Sequence, residues 1–298
     1  MHISVIPSYR VMLHLARRAS GLDYAEALDS MENGMRDYVR SQLAQMHSSL
    51  VELGVRSVIG QLGDPEPEQL MKALIELDDS KPQEVTRQAL EVASRSLPRP
   101  DLSARMFIFP GDGESAVLVN QLGGVLAFSL GASATLLFVW PRGDWESNLR
   151  YNVVHEYAHL VRNLLFPRGI AGGRLVYMKT QQPETLLDAM VAEGISDCFA
   201  QECLNGARPR WMDTQDEVEP RRMWPRLQRR FGISDPTEIR RFLFGDGDRV
   251  PAWTGYTLGY MIVRRFLDNN PGTTMMRLVS MPASDVYDGS GIETNGLD

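Results

Sequence analysis

The residues best equipped for chemistry are His155, Glu156 and His159, in the stretch Tyr151-Asn-Val-Val-His-Glu-Tyr-Ala-His-Leu160. On a helix, side chains four apart share a face, so His155 and His159 can present two imidazoles to one ion. Glu156 is turned about 100° around the helix from His155. Its carboxylate then lies beside the ion, where it can accept a proton from water. Imidazole suits zinc, and a catalytic zinc takes three protein ligands and leaves one position open. Val153, Val154, Leu160, Val161, Leu164 and Leu165 are apolar at helical spacing and predict the helix that carries the motif.

Two histidines leave the ligand set one short. Glu193 interrupts an otherwise apolar helical face formed by Leu186, Leu187, Met190, Val191, Ile195 and Phe199. A carboxylate buried there needs a partner, and a metal ion is a sufficient one. Gly194 lets another helix come close. Asp197, one turn past Glu193, is placed to accept the second ring N–H of a ligating histidine. Downstream, Tyr256 and Tyr260 lie four apart on one helical face, with Gly255 and Gly259 likewise four apart, and Arg264 can anchor a carboxylate.

H-E-x-x-H followed by Glu-x-x-x-Asp on a later helix resembles the gluzincin metallopeptidases, the thermolysin-like class. The wording His-Glu-Tyr-x-His, then Glu-Gly-Ile-x-Asp, then Gly-Tyr-x-x-Gly-Tyr is similar to a bacterial family of predicted zinc-dependent proteases. The resemblance covers residues 104–282. It implies one Zn2+ ion held by His155, His159 and Glu193, with Glu156 as general base and Asp197 orienting a histidine. It also implies a phenol that steadies the oxyanion, Tyr256 or Tyr260, with Tyr256 preferred. The gap from His159 to Glu193 is longer than in thermolysin, so the intervening loop differs. The metzincin pattern is excluded, because Arg162 and Leu165 stand where its glycine and third histidine are required.

These groups need a scaffold, and the chain predicts a mainly helical α+β fold: a small, mostly antiparallel sheet packed on a zincin-like helical core. Residues 23–53 have a helical apolar stripe that Gly54 should stop. Pro65 and Pro82 should open two more helices, to about Asp79 and Leu97. Ile3–Ile6 can form a strand before Pro7. From Ala104, Met106–Phe109, Ala116–Val119, Gly124–Phe128 and Thr135–Trp140 predict three or four strands. The run beginning Gly123-Gly124 is the candidate edge for holding an extended peptide, which makes Gly124 a substrate-binding candidate. Asp144 should cap the motif helix. A loop or short hairpin follows to Gln182, and the helix bearing Glu193 runs from Pro183 to about Leu204. The expected organisation is a helical region over residues 1–103, a metallopeptidase domain over 104–282, and a flexible tail over 283–298.

Composition narrows the function further. The chain has 298 residues, enough for a sizeable core, and a net charge of −7, which argues against nucleic acid as a partner. The arginine-rich segment 208–230 also carries Asp213, Asp216, Glu217 and Glu219, and reads as a solvated surface. No signal peptide or 18-residue apolar run is evident, so no membrane association is expected. Cys198 and Cys203, five apart on a predicted helix, do not face each other and fit a reducing, cytoplasmic setting. The expected activity is hydrolysis of peptide or protein substrates by a metal-activated water. The competing readings are a non-catalytic zinc-binding regulatory protein and a zinc-dependent amidohydrolase acting on a small molecule.

Overall fold

Continuous apolar runs bury strands on both faces, and the two most apolar runs here form the centre of a sheet. The computed structural model describes residues 1–63, 67–172, 174–213 and 218–292. They divide into two compact units, Met1–Glu91 with Pro100–Glu156, and Val92–Arg99 with Tyr157–Asp298.

In the first unit, strand β1 (His2–Ile6) is followed by helices α1 (Tyr9–Ala19), α2 (Tyr24–Leu43), α3 (Ser48–Leu62), α4 (Pro67–Asp79) and the start of α5 (Pro82–Ser96). The predicted stripe is the buried face of α2: Ala27, Met31, Met35, Val39 and Leu43. Gly54, expected to end this helix, instead lies inside α3. The break comes earlier, where His47 caps α3 by accepting from Ser49 N, and Gly63, at φ 65°, follows the end of that helix. Gly54 serves close packing, since a Cβ there would stand 2.6 Å from Leu43 Cδ1. The expected opening of α4 at Pro65 lies outside the described residues.

Strands β2 (Ser103–Pro110), β3 (Val125–Leu130) and β4 (Ala134–Val139) join β1 in the order β1-β2-β4-β3. The sheet is mixed, where mostly antiparallel pairing was expected. β3 and β4 are antiparallel, but β1 pairs parallel with β2 and β2 parallel with β4. Parallel neighbours need a long crossover, and α1 to α5 supply it between β1 and β2. The predicted strand at Ala116–Val119 is instead part of a π-helical turn, Val117–Gln121, in which only Leu118 is buried. Helix α6 (Trp145–Leu165) starts directly after Asp144.

The second unit takes over α6 from Tyr157. The expected loop or hairpin is the two-stranded ribbon β5 (Arg168–Ala171) and β6 (Arg174–Tyr177). Helix α7 (Leu186–Cys203) opens on a capping box, in which Thr185 accepts from Asp188 N and Asp188 accepts from Thr185 N. Short helices α8 (Arg210–Asp213), α9 (Val218–Arg222) and α10 (Trp224–Gln228) lead to α11 (Pro236–Phe244) and α12 (Thr254–Asn269). α12 packs along α7. Then come α13 (Met275–Val279) and α14 (Ala283–Gly289). The expected tail therefore begins as a helix, anchored by buried Ala283 and Val286; residues 293–298 lie outside the described residues. Among the described residues, no helix is long and apolar enough to cross a membrane.

Candidate metal centre

One turn of α6 brings the motif's ligand atoms together. His155, Glu156 and His159 each offer an atom within 4.8 Å of the others, and all three are buried, at 7%, 3% and 8% exposure. The Tyr151 ring lies 6.4 Å from that of His155, one turn before it. Tyr157 points elsewhere on the helix: it stacks on Phe199 of α7 and donates its hydroxyl to Leu97 O at 2.8 Å. These two contacts fix the rotation of α6 about its own axis next to His159.

Glu193 sits on α7 with its Oε2 3.3 Å from His159 Nε2. Two ligands each about 2.05 Å from a tetrahedral zinc are about 3.3 Å apart. The separation therefore fits two donors to a shared ion, and two imidazoles with one carboxylate are a donor set that zinc accepts. The three atoms that cluster on α6 include Glu156, not Glu193. Glu156, however, is already engaged: Ser129 on β3 donates its hydroxyl to Glu156 Oε2 at 2.6 Å. Asp197 is fully buried one turn past Glu193.

The approach of α12 to α7 rests on glycine. A Cβ at Gly194 would overlap the Gly259 carbonyl, and one at Gly259 would overlap the Met190 carbonyl. The two tyrosines of α12 part ways. Tyr260 donates to Gln201 Oε1 at 2.8 Å, and burial pushes its hydroxyl above the usual range. Tyr256 packs among Trp211, Phe244 and Trp253, with ring centroids 5.4–5.6 Å away. Arg264 lies half exposed with a guanidinium nitrogen 3.6 Å from Asp268, on the same helix.

Gly124 does not offer the main-chain groups expected of it. Its N–H donates to Leu118 O and its carbonyl accepts from Trp140 N, both at 2.8 Å. Its φ of +83°, and a Trp140 carbonyl 2.6 Å from where a Cβ would be, explain why glycine is needed. It shapes the turn into β3. β3 is outermost in the sheet, so an edge lies beyond Val125, whose own N–H donates to Leu122 O at 3.4 Å. The pairing of Gly124 with Trp140 sets the alternation of the ladder. Residues 126, 128 and 130 face β4, whereas the N–H and C=O groups of Val125, Ala127 and Ser129 point away from it.

Sequence reasoning missed three contributors. Ser129 is one; a serine in the apolar run Val125-Leu-Ala-Phe-Ser-Leu130 was the signal available. Glu184 is another, a carboxylate 6% exposed just before α7, paired with Arg168, which also binds Asn163 of α6. Burial pushes the Glu184 carboxyl up, against the pull of Arg168. The third is Arg162, 5% exposed on α6, which donates to Val279 O at 3.1 Å and Met281 O at 2.9 Å.

The chain matches, over residues 83–288, the family described as "Predicted Zn-dependent protease (DUF2268)". Neither the curated proteins nor the solved structures gave a match.

Proposed function

The chain belongs to the family of predicted Zn-dependent proteases, and from that premise we propose that it is a zinc-dependent peptidase. His155, His159 and Glu193 hold one Zn2+ ion, and Glu156 is the general base. The observation that carries this reading is the pairing of His159 with Glu193 at the separation of two ligands on one ion, while Glu156 is held aside by Ser129. When bound, the ion supplies Lewis-acid chemistry, making water a nucleophile near neutral pH and polarising a carbonyl oxygen.

Glu156 takes the proton from water and passes it to the leaving amine. Because Oε2 accepts from Ser129, Oε1 is the atom that receives the proton. Asp197 orients a ligating imidazole and raises its basicity. Tyr256 is the phenol proposed for the oxyanion, as the resemblance to the gluzincins implies; the Tyr260 hydroxyl donates to Gln201, eight residues and about 12 Å along α7 from Glu193. An extended peptide pairs with the outward main-chain groups of β3. Cys198 and Cys203 are both free thiols, which fits a cytoplasmic enzyme.

The test is metal analysis of the purified protein, a peptide-library digest with and without chelator, and the variant Glu156→Gln. Expected are bound zinc, chelator-sensitive cleavage, and a variant that keeps zinc but loses about 10²- to 10⁴-fold in rate. Zinc-loaded protein that cuts no peptide would instead favour a structural metal site. Full activity in Glu156→Gln would remove the general base.

A further inference from the structure

We propose that Ser129 is a positioning residue for this reaction, holding the Glu156 carboxylate in the orientation from which it exchanges a proton. The proposal rests on the reading of Glu156 as general base. Its ground is geometric. Ser129 Oγ lies 2.6 Å from Glu156 Oε2, within the range of a short hydrogen bond to an ionised acceptor. Glu156 is 3% exposed, so little water competes for that oxygen.

Ser129 is itself fixed. Its Oγ is 3.0 Å from Thr135 Oγ1, and Thr135 is fully buried on β4. The two residues stand opposite each other at a non-hydrogen-bonded position of the ladder, where side chains come closest. A hydroxyl has one proton to give. Ser129 gives its proton to Glu156, so Thr135 must donate to Ser129. The resulting line, Thr135 to Ser129 to Glu156, runs in one direction and pins one carboxylate oxygen from the sheet. The Ser129 proton stays on Ser129 throughout; only Glu156 Oε1 gains and releases a proton as the water O–H and the peptide C–N bonds break.

The same residue also faces the other way. The Ser129 N–H and C=O point outward from the sheet edge, toward the side on which an extended peptide would pair. One strand position therefore fixes both the general base and the proposed substrate track. Removing the hydroxyl should slow the chemical step and leave main-chain pairing intact, which separates kcat from KM.

The experiment compares Ser129→Ala, Ser129→Thr and Thr135→Val with the parent enzyme, on a peptide found in the library digest. It reads kcat, KM, zinc content and Tm. Ser129→Ala should keep its zinc and a KM within about twofold, while kcat falls about ten- to a hundredfold, the scale of one hydrogen bond to a charged group. Ser129→Thr should recover most of kcat, and Thr135→Val should fall between. Undiminished kcat in Ser129→Ala would overturn the proposal, as would loss of zinc with the activity. So would a threonine variant as slow as the alanine one, because packing alone would then explain the loss. Should Ser129→Ala not fold, the Ser129→Thr and Thr135→Val variants decide the matter by the same criteria. Glu156→Gln run alongside separates the two claims: if it is inactive while Ser129→Ala is fully active, only the role of Ser129 falls.

Discussion

Gly194 of α7 and Gly259 of α12 are packed backbone to backbone, with no room for a Cβ on either against the opposite carbonyls. The contact sits one residue past Glu193 and one before Tyr260, so the seating of α12 on α7 and the position of the proposed carboxylate ligand are fixed together. Gly194→Ala and Gly259→Ala should each force the helices apart. Overpacking of this kind costs about 1–3 kcal/mol. Chemical denaturation should show that loss, and zinc titration should show weaker binding. A variant as stable as the parent would mean the helices separate freely.

Removing a ligand should behave differently from removing the base. His159→Ala and Glu193→Ala are expected to lower zinc affinity by more than about 100-fold, beyond the 10- to 100-fold typical of residues that only support a ligand. His14→Ala, in the first unit, should leave affinity unchanged. Competition against a chromogenic chelator measures all three.

Arg162 carries a buried positive charge whose guanidinium lies over Phe166 at 4.8 Å and holds two carbonyls. Burial brings its pKa down to about 10, yet it remains charged at neutral pH. Arg162→Met should orphan both carbonyls and cost about 3 kcal/mol. Urea melts of the two proteins give the number.

The Cys198 thiol is 3% exposed, and burial raises its pKa well above the usual range. It should resist alkylation at pH 8 in the folded protein and react once the protein is unfolded. A raised folded pKa means the native state keeps a proton that the unfolded chain loses above about pH 8.5. Stability from this group is complete below that pH and declines above it. Melting temperatures taken from pH 7 to 10 should fall less steeply in Cys198→Ala.

How far the sequence could be read depended on the range of the contact. His155, Glu156 and His159 share one helical turn, and periodicity alone places them on it. Glu193 was legible as an acid on an apolar face, and the stripe from Ala27 to Leu43 as the buried side of α2. What escaped was set by strand register and by distant partners. Ser129 meets Glu156 only because β3 pairs with β4 in one alignment, and a slip of one residue would turn the serine away. The parallel pairing of β1 with β2 was hidden for a related reason, since the helices between those strands read as a separate region rather than as a crossover. Glycine misled twice, at Gly54 and Gly124, because its use for close packing and tight turns looks in one dimension like a stop or an open edge.

The grip of Arg162 on carbonyls 117 and 119 residues further along has a bearing on how the protein comes into being. On the ribosome, α6 emerges long before the segment that satisfies its buried cation. Until Met281 has cleared the exit tunnel, Arg162 has water in place of those carbonyls, and burying its charge would be costly. Burial of the last turns of α6 therefore waits on the segment around Met281, and chains stopped before it should leave that end of the helix open to solvent.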